Sequence, residues 1–317
     1  MKRRCFVRIY GRRAFSLVEL LAAVAVFVIL ALVLVQITNA TNQSTRASTR
    51  MLDAASQSRL VFDRLGRDLA NLLKRDDIDF HVGTGANADL LGFFSLVPSA
   101  SVGSNRGLSL IAYRIGTPAG NVNHPCLLRA GKALSWDATE FFGLAPTSGL
   151  PLAWEELPAG LQPGQDDFDL LAPGVIRMVV GFQLYPDNGP AVLANGAVIE
   201  HARGQVVYSP PIRVLSSANG GATAKYVDLC RISALVVGLV VIDQDSLIPL
   251  SAAQVQALSG AFPEPMDSQP PLQTWGDVAT GASGNSLLSG IPLPARQAVR
   301  VYQRFYPLNP FAGKQSP

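Results

Sequence analysis

From Phe15 to Ile37 the chain carries one ionisable side chain, Glu19, with Ser16 and Gln36 the only other clearly polar residues. A carboxylate at bilayer depth costs roughly 2.5–3.5 kcal/mol on insertion scales, so it is expected to have a partner and a use. The other reactive residue types are less pointed. His81, His124 and His201 are widely separated and lack the short spacing of a metal motif such as HExxH, so each reads as a surface or loop residue. No GxSxG elbow, Walker loop or GxGxxG motif follows an expected strand. The acidic groups Asp166, Asp167 and Asp169, and Asp243 and Asp245, offer oxygen donors of the kind calcium takes, but solvated loops account for them more simply. No catalytic residue, metal or cofactor is assigned.

The element that must position Glu19 is a membrane helix. Twenty-three residues at about 1.5 Å rise cover about 34 Å, enough for a bilayer core and longer than the roughly 7–15-residue apolar region of a secretory signal peptide. Six cations, Lys2, Arg3, Arg4, Arg8, Arg12 and Arg13, precede the span with no acid among them. By the positive-inside rule they hold the N-terminus in the cytoplasm, so the bulk of the chain is exported. Arg12-Arg13-Ala14-Phe15 also imitates a twin-arginine signal, but the strongly apolar helix, its acid and the missing small-x-small cleavage site argue against one. The formal charge of +3 belongs to the leader; without those six cations, 20 basic side chains face 23 acidic ones. Basic character therefore serves topology, and no nucleic-acid partner is expected.

Taken together, the basic leader, the small Ala14 and the run Phe15-Ser16-Leu17-Val18-Glu19 resemble the type IV prepilin processing and methylation motif. The resemblance implies cleavage between Ala14 and Phe15 by a prepilin peptidase/N-methyltransferase, and N-methylation of Phe15. It also implies that Glu19 serves assembly by meeting the N-terminal amine of a neighbouring subunit, the counter-charge that a carboxylate in hydrocarbon needs. Ala14 departs from the family, which usually has Gly before the cut. Expected partners are other pilins or pseudopilins and the inner membrane. The expected location is single-pass in that membrane, with a periplasmic C-terminal domain that joins a filament after assembly.

Four regions follow. Residues 1–14 are a removable leader and 15–37 the transmembrane and assembly helix. Residues 38–75 continue that helix amphipathically, and 76–317 form an exported β-rich domain. Met51, Ala55, Phe62, Leu65, Leu69 and Leu72 share one helical face, with Arg59, Asp63, Arg64, Arg67 and Asp68 on others, and helix is expected to about Lys74. Leu108–Ile115 alternates and is followed by Cys126–Arg129 after a Gly/Pro/Asn-rich turn, a hairpin signal. Val175–Tyr185 reads as another strand. Ile232–Ile242 is ambiguous by period, but its Val and Ile density favours a buried strand. The fold class is thus α+β: a pilin-like long helix packed on an antiparallel sheet with long loop insertions.

The order of these segments is similar to the large minor pseudopilins, the J-type component of type II secretion and the W-type minor pilins. In that family a late strand such as Arg231–Val237 completes the sheet. The tail Val301-Tyr302-Gln303-Arg304-Phe305-Tyr306-Pro307-Leu308-Asn309 also resembles the Verru_Chthon cassette protein C family. With the leader gone Cys5 is lost, leaving Cys126 and Cys230 on the oxidising side, either joined in a disulfide or buried as two small free thiols. The implied function is a non-enzymatic minor subunit, placed near the tip of a type II secretion pseudopilus or type IV pilus-like filament. The alternative is a single-span anchored exported enzyme or ligand-binding protein.

Overall fold

In a computed structural model, helix α1 runs from Leu17 to Ala70. The structure describes residues 16–73, 80–83, 90–96, 108–117, 124–134, 167–184, 191–192, 198–199, 206–207, 212–215, 225–228, 232–265, 269–280 and 290–308. The chain divides into two compact units, Met1–Thr49 and Arg50–Pro317.

In the first unit, the described part of α1 is apolar up to Ile37 and polar beyond it, and every residue from 16 to 49 is exposed. The helix is long and apolar enough to cross a membrane.

The second unit contains the remainder of α1 and, among the described residues, all the strands. These are β1 (Phe80–Gly83), β2 (Leu90–Ser95), β3 (Leu108–Gly116), β4 (Cys126–Leu134), β5 (Phe168–Ala172), β6 (Val175–Leu184), β7 (Ala191–Val192), β8 (Val198–Ile199), β9 (Val206–Val207), β10 (Ile212–Leu215), β11 (Lys225–Asp228), β12 (Ile232–Val241) and β13 (Arg300–Pro307). One sheet has the order β11-β10-β1-β2-β3-β4-β5 and another the order β13-β12-β6-β9, while β7 and β8 pair separately. Among the described residues all pairings are antiparallel except β10 with β11.

The expected β3–β4 hairpin forms, with Leu108 opposite Leu134 and Gly116 opposite Cys126. Val175 and Ile232 also open strands, β6 and β12, as expected. The fold class is the expected α+β, a long helix packed with antiparallel sheets; the late strand is a correction, since β12 does not complete the sheet of β3 and β4 but pairs with β6 and β13 in the four-stranded sheet. The physical reason lies in burial. Leu235, Val237, Leu239 and Val241 of β12 face one apolar core, shared with Phe62, Leu65 and Leu69 of α1. Val240 and Ile242 face a second core on the other side. A strand covered on both faces needs a near-continuous apolar run rather than alternation, which is what Ile232–Ile242 carries.

The second core is closed by short helices that the sequence pattern did not announce. They are α2 (Gln244–Leu247), α3 (Ala252–Gly260), α4 (Pro271–Thr280) and α5 (Leu293–Ala298). Trp275 of α4 is fully buried, meets Phe262 edge-on at 6.1 Å, and donates its indole N–H to the Pro263 carbonyl at 2.6 Å. Gly238 makes the close approach of α4 feasible, because a Cβ there would lie 2.7 Å from the Pro271 ring. Ser251 caps α3 in a reciprocal box with Gln254.

Helix α1 ends at Ala70, four residues before the expected Lys74. Its last carbonyls need partners other than helix amides. Strand β2 supplies them: the Ser95 hydroxyl donates to the Asp68 carbonyl at 2.9 Å, and Leu96 N donates to the Asn71 carbonyl at 2.9 Å.

Candidate functional site

Ala14 and Phe15, the expected cleavage and methylation positions, lie outside the described residues. The site begins at Ser16, whose carbonyl accepts from Glu19 N at 3.0 Å and from Leu20 N at 3.1 Å, while its hydroxyl accepts from Val18 N at 3.3 Å. Ser16 and Glu19 thus stand three apart at the start of α1, the spacing of a capping box. Glu19 falls in the first turn, where the free N–H groups and the positive end of the helix dipole favour an acid by about 0.3–1 kcal/mol. It is exposed, and no base among the described residues pairs with it. Around it, the large apolar side chains from Leu17 to Ile37 are 46–78% exposed. One acid is therefore presented at the end of a bare apolar rod, an arrangement suited to lipid or to apolar partner helices and offering a single electrostatic handle for register.

A second constellation lies in the second unit, and sequence reasoning missed it. Asp68, expected on a face of α1 other than the apolar one, is completely buried. Its Oδ2 accepts from the Tyr113 hydroxyl at 2.6 Å and from Arg129 Nε at 2.7 Å, with Arg64 Nε 3.7 Å from Oδ1. Tyr113 stacks on Phe93 at 6.5 Å, and the Arg129 guanidinium lies 5.9 Å from the Tyr113 ring centroid. Burial, then the Asp68 charge and hydrogen bond, push the Tyr113 hydroxyl far above its usual titration range. Burial works most strongly against the Arg129 charge, but the hydrogen bond and charge of Asp68, with the contributions of Tyr113, together outweigh it and raise the titration point. Tyr113 therefore keeps its proton and Arg129 its charge. The cluster pins α1 to β3 and β4 rather than presenting a reactive group to solvent. No local signal in the sequence marks it: Tyr113 and Arg129 stand directly opposite only once β3 and β4 have paired.

The remaining expected positions are dispersed. Asp243 is no loop acid: it caps α2, accepting from Ser246 N at 3.0 Å, with Arg50 Nε at 3.8 Å. Asp245 and Asp169 are exposed, and Asp167 lies 3.9 Å from Lys132. Asp166 and His201 are outside the described residues, as is the side chain of His81. His124 is half-buried. Among the described residues no group of three or more His, Cys, Asp or Glu could hold a metal ion. Cys126 is a buried free thiol donating to the Gly116 carbonyl at 3.3 Å, and burial pushes its titration up to about 11. Cys230, the other half of the expected disulfide, lies outside the described residues.

The C-terminal strand also reaches α1. Tyr306 donates to the Phe62 carbonyl at 2.7 Å, and Arg304 pairs with Asp63 at 2.9 Å. Gly66 leaves room for the Tyr306 ring, which a Cβ would meet at 3.2 Å. The tail segment singled out in the sequence is therefore, up to Leu308, an edge strand clamped on the helix.

No family model matches the chain, and no curated protein matches it. Among solved structures it is similar to the type IV-like pilin TTHA1219 from Thermus thermophilus, at 13% identity and a TM-score of 0.33, over 80% of this chain and 93% of that one.

Proposed function

We propose that the chain is a pilin-like structural subunit, inserted in the inner membrane by its N-terminal helix, trimmed by a prepilin peptidase and then assembled with other pilins or pseudopilins. The observation that carries this reading is Glu19, a lone exposed acid in the first turn of an apolar helix, directly after Arg12-Arg13-Ala14-Phe15. The α+β architecture, with the second half of α1 packed on antiparallel strands, agrees with it. In this reading Phe15 becomes the methylated N-terminus, and Glu19 accepts the amine of a neighbouring subunit. The large exported unit, with its second sheet and helical cap, would fit poorly in a repeated shaft, which favours a minor subunit near the tip of a type II secretion pseudopilus or type IV pilus-like filament.

Mass spectrometry of the mature N-terminus tests the proposal. The expected product starts at N-methyl-Phe15, and a mature chain that retains residues 1–14 would overturn the reading. Processing should also be faster for Ala14→Gly and lost for Ala14→Leu, because the position before the cut takes a small residue. Equal processing of all three precursors would exclude this peptidase.

A further inference from the structure

Between the apolar rod and the packed half of α1 lies the segment Thr38–Thr49, helical throughout and exposed at every position. Eight of its twelve residues are Thr, Asn or Ser. Each of these types forms helix roughly two- to threefold less favourably than Ala, because β-branching restricts the side chain or because a short polar group competes for the backbone. That competition is visible here. Thr38 donates to the Leu34 carbonyl at 2.8 Å and Thr41 to that of Ile37 at 2.9 Å; Thr45 donates to that of Thr41 at 2.9 Å and Thr49 to that of Thr45 at 3.0 Å. Such back-bonding to the carbonyl four residues earlier slightly destabilises and often bends a helix.

Most helical stability in proteins comes from packing an apolar face, and this segment packs against nothing among the described residues. On its C-terminal side, Ala54, Ser58, Val61, Phe62 and Leu65 are buried against the strands. On its N-terminal side, residues 15–37 contain neither Gly nor Pro and are apolar enough for a bilayer to hold as helix. The boundary between the two compact units falls at its end, after Thr49. Two segments with good reason to remain helical thus flank one whose residue types and surroundings give it none.

We infer that residues 38–49 are a built-in hinge: a stretch of α1 that opens by local unfolding far more readily than the helix on either side, with the threonine ladder as its cause. This inference concerns the chain before any assembly, so it stands apart from the proposed function, and its test needs no filament.

The test is amide hydrogen exchange on the full-length chain in detergent micelles, read peptide by peptide. Amides of 38–49 should exchange at least about 100-fold faster, relative to their intrinsic rates, than those of 58–69, since local opening sets protection where global unfolding does not. Thr38→Ala, Thr41→Ala, Thr45→Ala and Thr49→Ala combined should slow exchange of the segment by about tenfold or more, as four propensity gains multiply. Protection at 58–69 should stay unchanged and serves as the folding control. A second variant, N39A/N42A/S44A/S48A, raises propensity without touching the hydroxyl bonds and should also slow exchange. Protection of 38–49 equal to that of 58–69 would overturn the inference, as would fast exchange that the threonine substitutions leave unaltered.

Discussion

Asp68 decides how the second half of α1 sits on its sheet. Its carboxylate is out of water, so its value depends on the two donors that reach it; a buried pair broken on one side typically costs about 3–5 kcal/mol. We expect Asp68→Ala to destabilise the fold by that amount in urea unfolding, since it strands the Arg129 guanidinium. The triple change Asp68→Leu, Arg129→Leu, Tyr113→Phe should recover most of the loss, and a triple variant as unstable as Asp68→Ala would refute the account. Cys126 offers a second check at this scale. Its thiol titrates near 11 because burial disfavours the thiolate, so at pH 8 it should resist alkylation in the folded chain and react after unfolding. Peptide mapping reads this directly, and modification only after reduction would instead report a disulfide to Cys230.

At the scale of elements, β13 is the clamp that joins the end of the chain to its helix. Tyr306→Phe removes the bond to the Phe62 carbonyl and should cost about 1–2 kcal/mol, because the carbonyl is left buried without that donor. The Arg304–Asp63 pair is half-exposed, so its contribution is modest and salt-sensitive. It nevertheless has a pH signature. The hydrogen bond from Arg304, ahead of the opposing burial effect and the Arg304, Arg59 and Arg67 charges, holds the Asp63 carboxyl below its ordinary 3.8. A depressed acid stabilises the fold above its unfolded value and loses that contribution as pH falls through the lower folded value. Unfolding midpoints measured downward from pH 5 should therefore drop less for Arg304→Gln than for the wild type, and parallel curves would count against the pair.

For the whole molecule, Glu19 separates a tolerated polar residue from an assembly contact. If its carboxylate pairs with the amine of a neighbouring subunit, Glu19→Leu should insert and be cleaved normally yet lose cross-linking to partner subunits, since an unpaired amine would remain in hydrocarbon. Wild-type yields of cross-linked complex would sink the pairing. The second unit is held by two cores, one under α1 and one under α2–α5, with β6 and β12 passing between them. Close approach there is set by glycine. Gly174 donates to Gln57 Oε1 at 2.8 Å and accepts from Ile242 N at 2.8 Å, and a Cβ would collide with both Gln57 and the Ile242 carbonyl. Gly174→Ala should thus cost about 1–3 kcal/mol in urea unfolding, as an overpacked contact does.

The sequence by itself determined what one dimension can encode. The apolar run with its single acid, the cation asymmetry, the β3–β4 hairpin and the strands opening at Val175 and Ile232 all follow from local composition and period. Tertiary structure alone decided the rest. Asp68 looks like any solvent-facing helix charge until Tyr113 and Arg129 are brought to it from strands 45 and 61 residues away. The split into two sheets was hidden because an apolar strand such as β12 has the same sequence whether its second face meets a helix or another sheet. Helices α2–α5 are too short for a long periodic signal, and exist because the far face of β6 and β12 must be covered. Pairing and burial are non-local, so they can be read only once the chain has folded back on itself.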